Sequence, residues 1–158
     1  MVSRSGKYDV ISVHDVSAFS KINKKSKFET ETGLKKLKET TGCYSYTLVK
    51  CKESLYLCVA MTRSILVMKW AVHPFSKFMK MKDIPFDGKP SIMTLTEDSK
   101  GEIRLAVNTN AGLRIFSFQA ATIEDLTPPG VTLEQLGPPI HGLLMNSNMV
   151  ACYTSTHA

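Results

Sequence analysis

The sequence lacks the paired cysteines that mark most metal-binding and disulfide-rich domains. Its cysteines occur singly, and no histidine lies at zinc-ligand spacing from another ligand. The four are Cys43, Cys51, Cys58 and Cys152. Two of them, Cys58 and Cys152, lie in apolar runs, where cysteine usually serves as a small buried hydrophobic residue. We therefore predict that the protein binds no metal. No secretory signal opens the chain, so we also predict that it resides in the reducing cytoplasm.

The sequence also lacks the short motifs of nucleotide-binding and hydrolytic sites. It contains no G-x-x-x-x-G-K-[ST] phosphate loop, no G-x-G-x-x-G turn and no H-E-x-x-H zinc motif. The tripeptide Asp87-Gly88-Lys89 is a turn signal between strands, and nothing marks a Cys–His nucleophile pair. We therefore predict no catalytic residues, no cofactor and no small-molecule substrate.

Acidic residues are scarce in the first third of the chain. The net charge is +6, and residues 1–52 hold eleven Lys and Arg against five Asp and Glu. The remainder is neutral, which argues against a uniformly basic nucleic-acid-binding protein. Seven lysines form a cluster in this part: Lys21, Lys24, Lys25, Lys27, Lys35, Lys36 and Lys38. We interpret the segment as a solvated loop. The alternative is contact with an acidic protein surface or, weakly, with an anionic membrane.

No apolar run is both long enough and free enough of charge to suggest a membrane span. The best candidate extends from Leu55 to Val72 but contains Arg63 and Lys69. Each of these would cost about 2.5–3.5 kcal/mol in hydrocarbon. Many of its other residues are β-branched or aromatic, which favours strands over a buried helix. Because Thr62-Arg63-Ser64 interrupts the run, we predict a strand, a tight turn and a second strand over residues 55–70.

The same pattern recurs later in the chain. Residues 103–118 align with residues 55–70 without a gap, so that Leu57 meets Leu105. In the second copy the apolar residues alternate, which predicts half-buried strands. Its turn contains Asn110 and Gly112, which adopt positive φ at little cost.

A repeat of about 48 residues, with about four short strands in each copy, predicts an all-β fold, a partial β-propeller. We expect about three four-stranded antiparallel blades. The predicted organisation is the end of one blade at 7–19, a basic loop at 20–41, blades at 42–89 and 90–127, a proline-rich connection at 128–139, and the start of another blade at 140–158. Since complete propellers have about 4–8 blades, the chain is expected to be a fragment of one domain.

Four segments resemble the citron homology (CNH) domain in their order and spacing. They are "GCYSYTLVK", "LYLCVAMTRSILVMKWA", "PFSKFMKMKDI" and "LRIFSF". The W-x-x-x-P-x-x-K-F-M run from Trp70 to Met79 separates this family from WD40 propellers, whose G-H and W-D pairs are missing here. The resemblance spans about residues 7–156. It implies packing roles for Gly42, Cys43, Trp70, Lys77, Phe78 and Met79. For Trp70, which aligns with Phe118, an interface hot spot is the alternative.

CNH domains occur in germinal-centre-kinase-family kinases, citron kinase, Rho exchange factors and a Rap-GAP-like protein, which the chain resembles most in general impression. The resemblance implies a non-catalytic regulatory module with protein partners, among them small GTPases of the Rho, Rap and Rab groups. Any kinase or GTPase-activating activity would then lie in other domains. The alternatives are a generic propeller scaffold and an incomplete splice product without independent activity. A hydrolase built on a propeller is disfavoured, because it would need acidic residues or histidines where Val59 and Val107 stand.

Overall fold

The computed structural model describes residues 2–5, 9–14, 34–90, 92–109, 112–126, 139–145 and 148–153. These residues form antiparallel strands and one short 3-10 turn, without an α-helix. The chain divides into two units, Met1–Tyr44 and Ser45–Ala158. No helix in the described ranges is long and apolar enough to cross a membrane.

The first unit is a three-stranded sheet. Its strands are β1 (Val2–Ser5), β2 (Val10–His14) and β3 (Leu34–Leu37), in the order β1-β2-β3. A 3-10 turn at Lys38–Thr40 follows β3, and its Thr40 hydroxyl accepts a hydrogen bond from the Ile11 N–H at 2.9 Å. Strand β3 therefore occupies part of the segment predicted as a loop, because its backbone pairs with a strand that lies much earlier in the chain.

The second unit opens with a four-stranded sheet. Its strands are β4 (Ser45–Cys51), β5 (Ser54–Ala60), β6 (Ser64–Ala71) and β7 (Lys77–Pro85), in sequence order across the sheet. The predicted hairpin at residues 55–70 is confirmed as β5 and β6. Its turn is closed by the Met61 N–H, which donates to the Ser64 carbonyl at 2.9 Å.

The next sheet repeats this arrangement. Its strands are β8 (Ile92–Glu97), β9 (Ile103–Thr109), β10 (Gly112–Ser117) and β11 (Ile123–Asp125), in the order β11-β10-β9-β8. Leu57 pairs with Met68 in the first sheet, and Leu105 pairs with Phe116 in the second. Leu105 follows Leu57, and Phe116 follows Met68, by the same number of residues. The gapless alignment therefore corresponds to one structural unit that occurs twice. Gly112 has φ +124°, as its turn requires, whereas Asn110 lies outside the described residues.

The central strands are buried on both faces. Residues 56–60 of β5 and residues 105–109 of β9 are all buried, so the prediction of half-buried strands is wrong. The alternation reflects side-chain direction along a strand, but here protein atoms cover both faces of these central strands. The inner positions of these strands thus form the core of the unit. Fully buried examples are Leu57, Val59, Leu105 and Val107.

The two four-stranded sheets contact each other through aromatic and polar side chains, among others. The rings of Phe86 and Phe116 meet edge-to-face with centroids 5.7 Å apart, an arrangement that stabilises by about 0.5–1.5 kcal/mol beyond burial. The Lys52 ammonium lies 3.0 Å from the Glu97 carboxylate and donates to the Gly101 carbonyl at 3.0 Å. Because this ion pair is largely exposed, we expect it to contribute less than about 1 kcal/mol.

A final hairpin consists of β12 (Pro139–Met145) and β13 (Asn148–Tyr153). The predicted proline-rich connection at 128–139 lies outside the described residues except for Pro139, which begins β12. The predicted fold class is confirmed: the protein is all-β, with consecutive four-stranded antiparallel sheets typical of a partial propeller.

Candidate interaction surface

The turn between β6 and β7 displays the most exposed large apolar side chains of the described residues. Val72 and Phe75 retain 70% and 60% of their accessible surface. The turn is tight, since the Val72 carbonyl accepts hydrogen bonds from the N–H groups of Phe75 at 3.1 Å and Ser76 at 3.3 Å. Both apolar side chains therefore project from a constrained backbone.

A groove lies beside this turn, with a volume of about 760 Å³. Most of its apolar lining comes from β6, the turn and β7, and Leu55 of β5 contributes as well. The larger apolar side chains of β6, the turn and β7 are Trp70, Val72, Phe75, Met79 and Met81. We call it the β6–β7 groove. Met79 and Met81 are both exposed and lie near an irregularity of β7, where the pairing with β6 shifts between Val67 and Met68. Such a bulge re-aims side chains at the edge of a sheet, and methionine adapts its shape readily to a ligand.

Trp70 is partly exposed, whereas its neighbour Phe78 is buried. The two residues are register partners on β6 and β7, and their rings meet edge-to-face with centroids 5.0 Å apart. Phe78 thus anchors Trp70 from beneath and leaves part of the indole facing the groove. Packing and ligand contact are therefore compatible roles for Trp70.

The groove carries more basic than acidic side chains, since Lys69 and Lys80 line it beside one acidic lining residue, Glu53. Residues 69–82 contain four lysines and neither Asp nor Glu. The Lys80 ammonium lies 3.0 Å from the Asp83 carboxylate, and this hydrogen bond, together with one from Ser64, holds the pKa of Asp83 below its usual value. The Lys69 ammonium lies 5.8 Å from the centre of the Tyr56 ring, within range of a cation–π contact. Lys77 is exposed at the start of β7.

Two of the family-motif residues, Gly42 and Cys43, lie in the first unit. The N–H groups of Gly42 and Cys43 both donate to the Asp9 carbonyl at 3.1 Å. Gly42 has φ +86°, which explains why glycine suits this position. Cys43 is fully buried, and burial is the main reason that its pKa is raised. On β7, Lys77 and Met79 are exposed and only Phe78 is buried.

The lysine cluster predicted as a contact is described only in part. Lys35 and Lys36 lie on β3 and Lys38 in the 3-10 turn, where none of the three is buried. Lys21, Lys24, Lys25 and Lys27 lie outside the described residues. The structure thus brings together no set of lysines that tests this prediction.

Reactive chemistry is poorly supported by the described side chains. Burial raises the pKa of the Cys58 thiol to about 12 and also raises that of Cys51, so neither is an activated nucleophile. The described residues hold no group of three or more His, Cys, Asp or Glu side chains suited to a metal ion. Val59 and Val107 occupy equivalent positions in the two copies, where a propeller enzyme would need polar groups, and both are buried and apolar.

The sequence indicated Trp70, Phe78 and Met79 as functional or packing residues, but it gave no sign of Val72 or Met81. Val72 is a strand-favouring residue in an apolar run, and only the turn geometry shows that it points to solvent. The bulge that exposes Met81 has no sequence signal, because it depends on the pairing of two strands.

The CNH domain family model matches residues 1–155 of this chain. Among curated proteins, the chain is 24% identical over 161 residues to "Misshapen-like kinase 1" of Rattus norvegicus, covering 97% of the chain and 12% of the kinase. It is 23% identical over 129 residues to "Serine/threonine-protein kinase mig-15" of Caenorhabditis elegans, covering 79% of the chain and 12% of that kinase. A third relative is "Nik-related protein kinase" of Mus musculus, which is 24% identical over 111 residues, covering 70% of the chain and 8% of that kinase. The chain thus corresponds to a small part of each kinase.

Proposed function

Because the chain belongs to the CNH domain family, we propose that it is a non-catalytic interaction module that regulates small-GTPase signalling in the cytoplasm. The observation that carries this proposal is the family match, which extends over residues 1–155. CNH domains are regulatory and protein-interaction modules. The three relatives named above are kinases, and the matched region is a minor share of each.

The chemistry of the chain supports a binding role over a catalytic one. The described core is mainly apolar, with a few buried polar side chains such as Asn108, and burial of Cys58 makes its thiolate unfavourable at neutral pH. A propeller enzyme gathers polar side chains at equivalent positions, and Val59 and Val107 supply none. An exposed apolar groove with a net positive border is instead typical of a surface that recognises another macromolecule.

We propose that this chain forms part of one CNH domain and acts within a larger signalling protein. A kinase or GTPase-activating domain of that protein would supply catalysis. A Rap-GAP-like parent, favoured by the general impression of the sequence, remains a prediction beside a Ste20-like kinase. The lysine cluster between Lys21 and Lys38 is a second candidate contact, suited to an acidic protein surface or weakly to anionic lipid.

A nucleotide-dependent pull-down tests the proposed function. The chain is immobilised and exposed to purified Rho, Rap and Rab GTPases, each loaded with GDP or with a non-hydrolysable GTP analogue. We expect at least one group to bind with a preference for one nucleotide state. Equal or absent binding of all three groups in both states would overturn the assignment to GTPase regulation. A Lys36→Glu variant then measures the share of the lysine cluster, with Lys89→Glu as a control.

A further inference from the structure

We propose that the β6–β7 groove binds an extended peptide segment that combines acidic residues with an apolar or aromatic side chain. This inference deepens the proposed function, since it names a surface and a partner chemistry for the interaction module. It rests on four observations about the described residues: exposed apolar side chains, a concave surface, an excess of positive over negative charge, and a core that is already covered.

The apolar groups are concentrated at one place. Val72, Phe75, Met79 and Met81 are four of the six large hydrophobic side chains that remain exposed among the described residues. All four line the same groove, and Trp70 contributes a partly exposed indole to it. Aromatic and methionine side chains in a concave site are typical of surfaces that accept a partner's apolar residue.

The exposure of these side chains is not explained by the absence of a neighbouring blade. A blade missing a neighbour would expose its central strands, yet Leu57 and Cys58 on opposite faces of β5 are both fully buried. The same holds for β6, whose residues 65–68 are all buried. The exposed groups lie instead at the β6–β7 turn and on β7, the outermost strand of its sheet. The groove therefore belongs to the outer edge of a completed blade.

Charge selects the class of partner. Lys69 and Lys80 line the groove beside one acidic lining residue, Glu53, and Lys77 is the register partner of the lining residue Ala71. With these three lysines the groove carries a net positive charge. Asp83 engages only Lys80 of these three, at 3.0 Å. An acidic segment would find complementary charge here, and complementary charge contributes to both association rate and specificity. A second copy of the chain fits poorly, because pairing along β7 would place its lysines against those of the other copy.

The only tryptophan of the chain provides the readout, since Trp70 lines the groove. The probe is a short synthetic peptide in which Glu alternates with Leu around a central Phe. Titration into the full chain should saturate a change in Trp70 emission, and binding should weaken as salt is raised because the lysines are exposed. Two matched peptides, one with Lys for Glu and one with Ser for Leu and Phe, should leave the emission unchanged.

Surface variants separate the groove from the rest of the molecule. Phe75→Ser combined with Met79→Ser should weaken peptide binding about tenfold or more, as expected for central interface anchors. Lys77→Glu should also weaken it. The matched controls are Ile123→Ser, which removes an apolar side chain of similar exposure (59%), and Lys89→Glu, which removes an exposed charge elsewhere. Both controls should bind as the unaltered chain does.

Several results would overturn the inference. These are no saturable emission change with the acidic peptide, equal binding of the lysine peptide, and full binding by the Phe75→Ser, Met79→Ser variant. Vesicles of phosphatidylcholine with phosphatidylserine form a separate arm. Emission changes with vesicles but not with the acidic peptide would identify the occupant as a membrane and contradict the proposal. The GTPase pull-down is scored independently, so a failure of the peptide titration leaves the proposed function standing, and the reverse also holds.

Discussion

Truncating Leu57 to alanine should destabilise the protein strongly, and truncating Leu105 should do so to a similar extent. Both side chains are fully buried, and they occupy the same position in β5 and in its repeated copy β9. Their equivalence is a direct consequence of the repeat. An exposed leucine, Leu48 on β4, retains 45% of its surface and serves as the control.

The expected magnitude follows from burial. Removing three buried carbon groups at about 0.8 kcal/mol each gives about 2.4 kcal/mol. The cavity left behind adds to this, and measured Leu→Ala substitutions in cores cost about 2–5 kcal/mol. We therefore expect about 3 kcal/mol for Leu57→Ala and for Leu105→Ala. For Leu48→Ala we expect less than about 1 kcal/mol, because little apolar surface is lost from the core.

Urea unfolding followed by far-ultraviolet circular dichroism and by Trp70 emission measures these differences. With a slope of about 1–3 kcal/mol per molar urea, the two core variants should lower the midpoint by about 1–3 M. The unfolding slope itself should not change. A midpoint for Leu57→Ala that matches Leu48→Ala would refute the placement of Leu57 in the core. A large loss for only one of the two core variants would refute the structural equivalence of the sheets.

Three further predictions concern backbone, thiol and acid chemistry. Gly42→Ala should lower the free energy of unfolding by about 1–2 kcal/mol, because φ is +86° there and the added methyl group meets no atom within 4 Å, so the cost is purely conformational. Gly42→Asn should cost less, since asparagine tolerates positive φ better. Equal unfolding midpoints for the two variants would contradict this. In a Cys152→Ser variant at mildly alkaline pH, a thiol reagent should modify the native chain much more slowly than the urea-unfolded chain. The reason is that burial raises the pKa of Cys43, Cys51 and Cys58. Rapid modification of the native chain would contradict the burial of these thiols. The pKa of Asp83 is lowered mainly by the Lys80 hydrogen bond, that of Asp98 mainly by the Glu102 N–H, and that of Glu102 mainly by the Ser117 hydroxyl. The stability that these carboxylates contribute is present above their pKa values in the unfolded chain, near about pH 4, and is lost as pH falls through their lower pKa values in the folded chain. The melting temperature should therefore drop in that pH window. The drop should be smaller in Asp98→Asn.

Much of the second unit could be predicted from sequence because its hairpins carry strong local signals. The run from Leu55 to Trp70 combines β-branched residues with a polar turn, and its later copy repeats the same spacing. Register in a hairpin is fixed by the turn and by the apolar pattern, and the structure pairs Leu57 with Met68 across this turn. The family resemblance rested on these same elements.

The first unit was harder to predict because its pairing is not local. Strand β3, Leu34–Leu37, is short and half of it is lysine, so it carries no alternating apolar pattern. It becomes a strand only because β2 offers it a partner across a long connection. Short polar segments of this kind take their conformation from tertiary contacts, which outweigh local propensity.

The candidate surface was predictable in composition but not in geometry. Trp70, Phe75 and Phe78 lie close together in the chain, within the W-x-x-x-P-x-x-K-F-M run. Which of them is buried depends on the turn and on the bulge of β7: Phe78 retains 5% of its surface and Phe75 retains 60%. A difference of that kind decides between packing and binding, and it requires the three-dimensional register.

Cross-strand proton contacts, measured by nuclear magnetic resonance on the labelled chain, give the most direct test of the two-copy architecture. The structure predicts contacts between the backbones of Leu57 and Met68 and between those of Leu105 and Phe116, with β-type chemical shifts at all four residues. Helical shifts from Tyr56 to Lys69, or pairing registers that differ between the two segments, would contradict it.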